Sequence, residues 1–363
     1  MVCLKWAAVI IPGMTRRMTK AEALLALQQS DLLDLGTQAF ERKRQMHPER
    51  ITTFVIDRNI NYTNICHVGC KFCAFHAKAD DPSGYILPYE TIDTKIEELL
   101  AIGGTQILFQ GGVHPKLGID YYEDLVDHIH TKFPTIDIHG FSAVEIEYIS
   151  RLSKISTLEV LGRLQAKGMK SMPGAGAEIL SDRVRAYVSP HKVDTAGWLR
   201  IHREAHTLGM TTTATMVFGF GESDEEIVDH LEHIRALQEE TGGFTAFILW
   251  SFQPDNTPLQ RERPELTKQS ANRYLRLLAL SRLYLDNVPN LQSSWVTQGA
   301  HIGQLALKFG ANDLGSTMME ENVVAATGCS NQMIPEEMVT LIRQIGEIPA
   351  QRNTRYERLK VFE

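Results

Sequence analysis

From residue 52 onward the sequence alternates short β-branched or aromatic runs with longer amphipathic stretches, about eight times over. Strand-like runs are expected at 52–56, 106–109, 136–138, 171–172, 211–218, 245–252, 293–297 and, more briefly, 311–314. Helical spacing fills the intervals, at 90–101, 121–132, 143–152, 156–167, 177–187, 198–208, 224–240, 269–286 and 302–309. Crossover helices between successive strands are right-handed and make the strands parallel, and eight such units can close a barrel. A doubly wound open sheet is the competitor, but no glycine fingerprint follows the first strand. The expected fold is therefore α/β, a (β/α)8 TIM-type barrel. Two helices over 19–45, broken near Asp31 and Gly36, precede it, and helices near Glu321 and at 335–345 end the chain. The expected division is an N-terminal extension with helices at 1–50, a core barrel at 51–288, and a C-terminal region at 289–363 that completes and caps it.

Composition narrows the class further. The 363 residues carry 37 basic and 44 acidic side chains, a net charge of −7, with no long basic run. That balance speaks against nucleic-acid binding. The apolar run at 6–12 falls short of a membrane span and reads as a short N-terminal extension, and no stretch reaches 18 uninterrupted apolar residues, so no membrane insertion is expected. Five cysteines are too few and too odd in number for a disulfide scaffold, which points to a reducing, cytoplasmic setting.

Three of those five cysteines, Cys66, Cys70 and Cys73, fall within eight residues with the spacing C-x3-C-x2-C. Three thiolates on one loop can hold three corners of an iron–sulfur cube and leave the fourth iron open to an exchangeable ligand. Zinc is the alternative, with His67 or His76 as fourth ligand; that reading would make the chain a zinc- or cluster-bearing redox or interaction protein. Cys3 and Cys329 lack a partner at short spacing and read as inert thiols.

With Phe72 ahead of the last cysteine, this motif on a βα barrel resembles the radical S-adenosylmethionine (SAM) superfamily. The resemblance implies a [4Fe–4S] cluster on Cys66, Cys70 and Cys73, with SAM on its open iron and Phe72 against the adenine. Gln110-Gly111-Gly112 stands where that superfamily has a Gly-Gly-Glu run for the SAM amino group, with Val113 replacing the glutamate. Val217 to Glu222 resembles its adenine-contacting strand, with Gly219 and Glu222 matched and Thr215 in place of the first glycine. Ser142 falls among the loops expected at the strand C-termini. Glu178 resembles the acid that takes the ribose hydroxyls, against helix capping as its bland role. Lys192, ahead of Arg185, is placed to hold the SAM carboxylate.

The run from Asp57 to Asn64 and Cys73-Ala74-Phe75 resemble the branch of this superfamily that serves menaquinone (futalosine pathway) and deazaflavin synthesis. Phe252-Gln253-Pro254, 294–299 and 311–317 are most similar to its dehypoxanthine futalosine cyclases; aminofutalosine synthases and deazaflavin synthase components are the sister groups. The resemblance implies abstraction of a ribose C4′ hydrogen and closure of the carbon radical onto a benzoate ring. It also implies a low-potential electron donor such as flavodoxin or ferredoxin. Asp57, His114, His139 and Asp313 are the candidate proton acceptors, and Trp250 and Trp295 could stack on the arene. The pair His202/His206 has the order H-x-E-x-H and reads as an exposed helix face, as do His230 and His233. Met318-Met319 reads as core or lid packing.

Overall fold

A computed structural model describes residues 17–329 and 331–363; the apolar run at 6–12 and Cys3 lie outside them. Strand β1 (Ile51–Val55) and strand β2 (Asp57–Ile60) are two halves of one run, interrupted only at Ile56. Then follow β3 (Gln106–Phe109), β4 (Asp137–Gly140), β5 (Ser171–Met172), β6 (Thr211–Phe218), β7 (Phe244–Ser251), β8 (Asn290–Gln292) and β9 (Asp313–Ser316). All pair in parallel, β2 through β9 in sequence order, and β9 returns to β1 with Thr53 opposite Asp313. Because β1 runs directly into β2, the two ends of the array meet in the chain itself, and eight strand positions close into a barrel.

Helices cover the outside because each strand alternates its faces. In β6, Thr212, Ala214, Met216 and Phe218 are buried, while Thr213, Thr215 and Val217 face the barrel interior. The amino-terminal helices, Lys20–Gln29 and Leu32–Met46, are separated at Ser30-Asp31, where the Asp31 carboxylate accepts from the amides of Leu33 and Asp34. Gly36, expected near the break, lies inside the second helix. A β-carbon there would come within 2.5 Å of the Phe309 ring, so glycine lets the helix dock against the barrel.

Three expectations are corrected. The seventh strand lies at 290–292 and not at 293–297. Past Ser293 the Ser294 and Thr297 hydroxyls bond each other, and a helical turn forms over Trp295–Gln298. The helix expected at 177–187 starts only at Asp182, because Gly176 (φ 85°) and Glu178 (φ 40°) are left-handed. The chain end is not only helical. After helix Pro335–Gln344, strand β10 (Ile348–Arg352) pairs in parallel with β1, and β11 (Arg358–Val361) folds back antiparallel upon it. Gln351 donates to the carbonyl of Gly103, just ahead of β3, so this hairpin underlies the amino-terminal ends of the barrel strands.

Candidate active site: a cavity between the cysteine loop and the barrel floor

A cavity of about 410 Å³ fills the barrel interior and opens at the carboxyl ends of the strands. All three motif cysteines line it. Their loop is held by its backbone: the amide of Cys66 donates to Ala77, that of His67 to Val113 and that of Lys71 to Val188. Gly69 takes φ 62° between the first two cysteines. Burial pushes the Cys70 thiol up to about 12, against the attraction of Lys192, so a strong Lewis acid is needed to draw the thiolate out.

Four-ligand zinc fits poorly. Among the described residues no three His, Cys, Asp or Glu side chains converge on a single-ion site. His67 Nδ1 is 2.8 Å from the Val113 carbonyl, and His76 Nδ1 is 3.2 Å from that of Cys73. Three cysteines of one eight-residue loop, all lining the cavity, suit a cluster held by three thiolates instead.

Beside the cysteines stands an ionic group. Lys192 Nζ is 2.6 Å from Glu178 Oε1 and 5.1 Å from the Phe72 ring centre. Burial pulls Lys192 down, but Cys70 and Glu178 outweigh it and hold the ammonium charged. Arg185 reaches Glu178 at 3.5 Å from behind, donates to the carbonyls of Val193, Gly176 and Ala177, and does not line the cavity. Glu178 caps no helix: it is 4% exposed, with its carboxylate between two cations.

Gln110, Gly111 and Gly112 line the same end. The Gly111 amide donates to Glu145 and the Gly112 amide to Thr63. A β-carbon on Gly112 would sit 2.3 Å from the Ile65 carbonyl, so only glycine lets this loop pack on the cysteine loop. Ser142 lines the cavity and caps helix Ala143–Ser153 in a reciprocal pair with Glu145. Gly219 and Glu222 do not line it. Both Glu222 oxygens accept backbone amides, from Gly219 and Phe220, and the turn they shape sets Phe220 against Phe72, with ring centres 5.4 Å apart.

The four candidate proton acceptors part company. Asp57 and His139 line the cavity; His114 and Asp313 do not. Asp57 is 2% exposed and accepts from Ser316 Oγ and Gln106 Nε2; burial pushes its carboxyl up to about 6 despite Ser316 and Arg352. His139 Nδ1 is 2.8 Å from Ser171 Oγ, and burial pulls it down to about 3. Asp313 is fully buried in a two-pronged ion pair with Arg352, at 2.6 and 3.1 Å. His114 accepts the Lys116 amide.

Trp250 lines the wall, whereas the Trp295 indole is buried and donates to the Ser316 carbonyl. Met318 lines the cavity and Met319 is partly exposed. Of the four histidines expected on solvated faces, His202 and His230 are corrected, while His206 and His233 are half-buried. His202 and His230 are wholly buried; His202 and His206 share Thr212, and His230 accepts the Leu180 amide. A helical pattern alone could not tell these sheet-facing positions from solvent-facing ones. Cys329 is part-buried, its thiol on the Val296 carbonyl. Missed altogether were Arg352, Thr354 and Tyr356 of the terminal hairpin, which also line the cavity. Nothing in the run Ile348-Pro-Ala-Gln-Arg352 marks it as part of a site.

Known proteins agree with this architecture. Residues 60–234 match the radical SAM superfamily and residues 241–363 the CofH/MqnC C-terminal region. Cyclic dehypoxanthine futalosine synthase of Halalkalibacterium halodurans is 46% identical, covering 96% of this chain and 93% of its own. The synthase of that name from Streptomyces coelicolor is 43% identical over 96% and 87%. A 5-amino-6-(D-ribitylamino)uracil–L-tyrosine 4-hydroxyphenyl transferase of Methanopyrus kandleri is 40% identical over 94% and 93%. Among solved structures, an [FeFe]-hydrogenase maturase superposes with TM-score 0.73 at 17% identity over 92% of this chain and 73% of its own. Methylornithine synthase superposes with TM-score 0.70 at 16% identity, covering 93% and 95%. With the three-cysteine loop at the mouth of its barrel, the chain belongs to the radical SAM superfamily, in the branch that ends in the CofH/MqnC region.

Proposed function

We propose that this chain is a radical SAM cyclase converting dehypoxanthine futalosine to its cyclic form in menaquinone synthesis. The observation that carries the reading is likeness to two synthases of that activity along nearly the whole chain. Cys66, Cys70 and Cys73 hold the [4Fe–4S] cluster, and Gln110–Gly112, Phe72, Glu178 and Lys192 hold SAM beside it. Bound there, the pair supplies a 5′-deoxyadenosyl radical able to take a hydrogen atom from ribose C4′.

The chain's own task is placement. A flexible substrate must be held folded, with the arene against the sugar, and the enclosed barrel keeps water away from the reacting carbons. Trp250 and Ile248 supply an apolar wall for the ring. The product is two hydrogens poorer than the substrate: one leaves as an atom to the SAM-derived radical, and the other leaves the ring as a proton while its electron returns to the cluster, so that SAM is the net oxidant. Asp57 is the acceptor: it lines the cavity, is held by Ser316 and Gln106, and its carboxyl is pushed up by burial to about 6. A low-potential flavodoxin or ferredoxin supplies electrons, in the cytoplasm.

Anaerobic turnover with reductant and SAM tests the assignment. Dehypoxanthine futalosine should yield 5′-deoxyadenosine and a product two mass units lighter. Turnover only with an aminofutalosine- or deazaflavin-type substrate would move the chain to a sister activity.

A further inference from the structure

The cavity has two polar ends. The upper one, at the cysteine loop, holds Lys192 and Glu178. The lower one is built by the terminal hairpin, whose Arg352, Thr354 and Tyr356 close the barrel floor. Lys192 and Arg352 are the lysine and arginine side chains that line the cavity among the described residues. Lys192 is committed to Glu178 and to the cysteine end.

Arg352 is 3% exposed and carries five N–H donors, of which three are used: two on Asp313 and one on the Asn353 carbonyl. Tyr356 lies over its guanidinium at 3.8 Å. Beside it, Thr354 Oγ1 and Tyr356 Oη are buried with no hydrogen-bond partner. Unpaired buried polar atoms are costly, and two of them on nearby residues that line a cavity mark a place where a ligand can supply the partners. Tyr356 also adopts φ 65°, a left-handed conformation that the turn between β10 and β11 imposes to bring the ring over Arg352.

Spare donors, not excess positive charge, favour an acceptor ligand. Arg352 is paired with Asp313 and lies within electrostatic reach of Asp57 as well, while nearby Arg282 is buried on the carbonyls of Gly310 and Pro289 and the amide oxygen of Asn312. No carboxylate pairs with it among the described residues. Tyr356 lies within the electrostatic reach of both arginines. A ligand that brings one negative charge and two acceptor oxygens would use the spare guanidinium N–H groups and the two hydroxyls together.

We infer that Arg352, Thr354 and Tyr356 form a carboxylate-binding subsite on the barrel floor, which takes the benzoate carboxylate of the substrate and so stands the molecule upright, sugar toward the cysteine loop. The inference rests on the proposed cyclase reading. It makes Arg352 a substrate-binding and specificity-determining residue.

The test is anaerobic binding calorimetry on the cluster-loaded, SAM-bound enzyme, with dehypoxanthine futalosine and an analogue lacking the carboxyl group. Wild type should prefer the acid by about tenfold or more, as expected of a buried charge-assisted contact. Arg352→Gln should abolish that preference while leaving affinity for the analogue nearly unchanged. Wild type without a preference, or Arg352→Gln retaining it, overturns the subsite. Since Arg352→Gln also unpairs Asp313 and could unfold the barrel, Tyr356→Phe and Thr354→Val provide a second arm. Each removes one hydroxyl and should weaken the acid alone by several-fold; unchanged acid affinity in both overturns the proposal. A wild-type enzyme that neither binds nor cyclises the substrate overturns the cyclase reading and the subsite together. Cyclisation with an unaltered preference in the variants overturns the subsite alone.

Discussion

Glu178 shows how much chemistry a single residue position holds. Its φ of 40° is unfavourable for a side chain with a β-carbon, and the conformation is kept because it turns a carboxylate inward between Lys192 and Arg185. Glu178→Gln should therefore weaken SAM binding by about tenfold or more, the typical loss when one partner of a buried charged pair is removed. Equilibrium dialysis of SAM against the cluster-loaded protein reads this directly, and unchanged affinity would remove Glu178 from the site. Gly112 makes a sharper steric case. Gly112→Ala drives a β-carbon to 2.3 Å from the Ile65 carbonyl, so the cysteine loop must shift. Lower iron and sulfide content after reconstitution is the expected result, with the fold retained by circular dichroism. Both positions stood out in the sequence, Gly112 by its motif and Glu178 by resemblance; the left-handed backbone at Glu178 did not, because φ is set by the packing around it.

At the scale of elements, the terminal hairpin has the largest consequences. Glu347, just ahead of β10, is buried between Lys43 at 3.3 Å and Arg44 at 3.0 Å, both from the second amino-terminal helix. Burial already pulls Lys43 down to about 8 against the attraction of Glu347. Glu347→Ala leaves that ammonium buried without its carboxylate, with only the Leu307 carbonyl to accept from it, and should cost roughly 3–5 kcal/mol, the range for breaking a buried pair from one side. Urea unfolding measures it, and a loss below 1 kcal/mol would mean that water reaches Lys43. The amphipathic helices and the long strands were legible because burial on one face imprints a period on the sequence. The hairpin was not: β11 is exposed throughout and β10 begins Ile-Pro, so neither carries alternation. The seventh strand shifted by three residues because β8 spans only three, too short for a period to define.

Across the whole molecule, burial of ionisable groups sets the response to pH. His139 and His230 are pulled down to about 3, chiefly by burial, from an unfolded value near 6.5. Below pH 6.5 the unfolded chain takes up protons that the folded one refuses, so stability falls as pH falls. Each histidine contributes a slope approaching ~1.4 kcal/mol per pH unit. Asp57 works the other way: its carboxyl, raised to about 6, makes the folded state gain relative stability as pH drops from above 6 toward 4. Two histidines outweigh one carboxyl, so the urea midpoint should be lower at pH 5.5 than at pH 7.5. A flat or rising midpoint would mean that these rings are hydrated.

The eight βα units and the three-cysteine loop were determined by sequence alone, because periodicity and close spacing are local properties that short stretches carry intact. Three thiols within eight residues reach one cluster whatever the rest of the chain does. The other end of the cavity was decided by tertiary structure. Asp57 meets Ser316 across 259 positions, and Arg352 meets Asp313 across 39, once a strand from the chain end has slid beneath the barrel. Pairings at such distances leave no period and no spacing to read. They exist because barrel closure brings β1 against β9 and seats β10 beside β1, placing charges where water cannot follow.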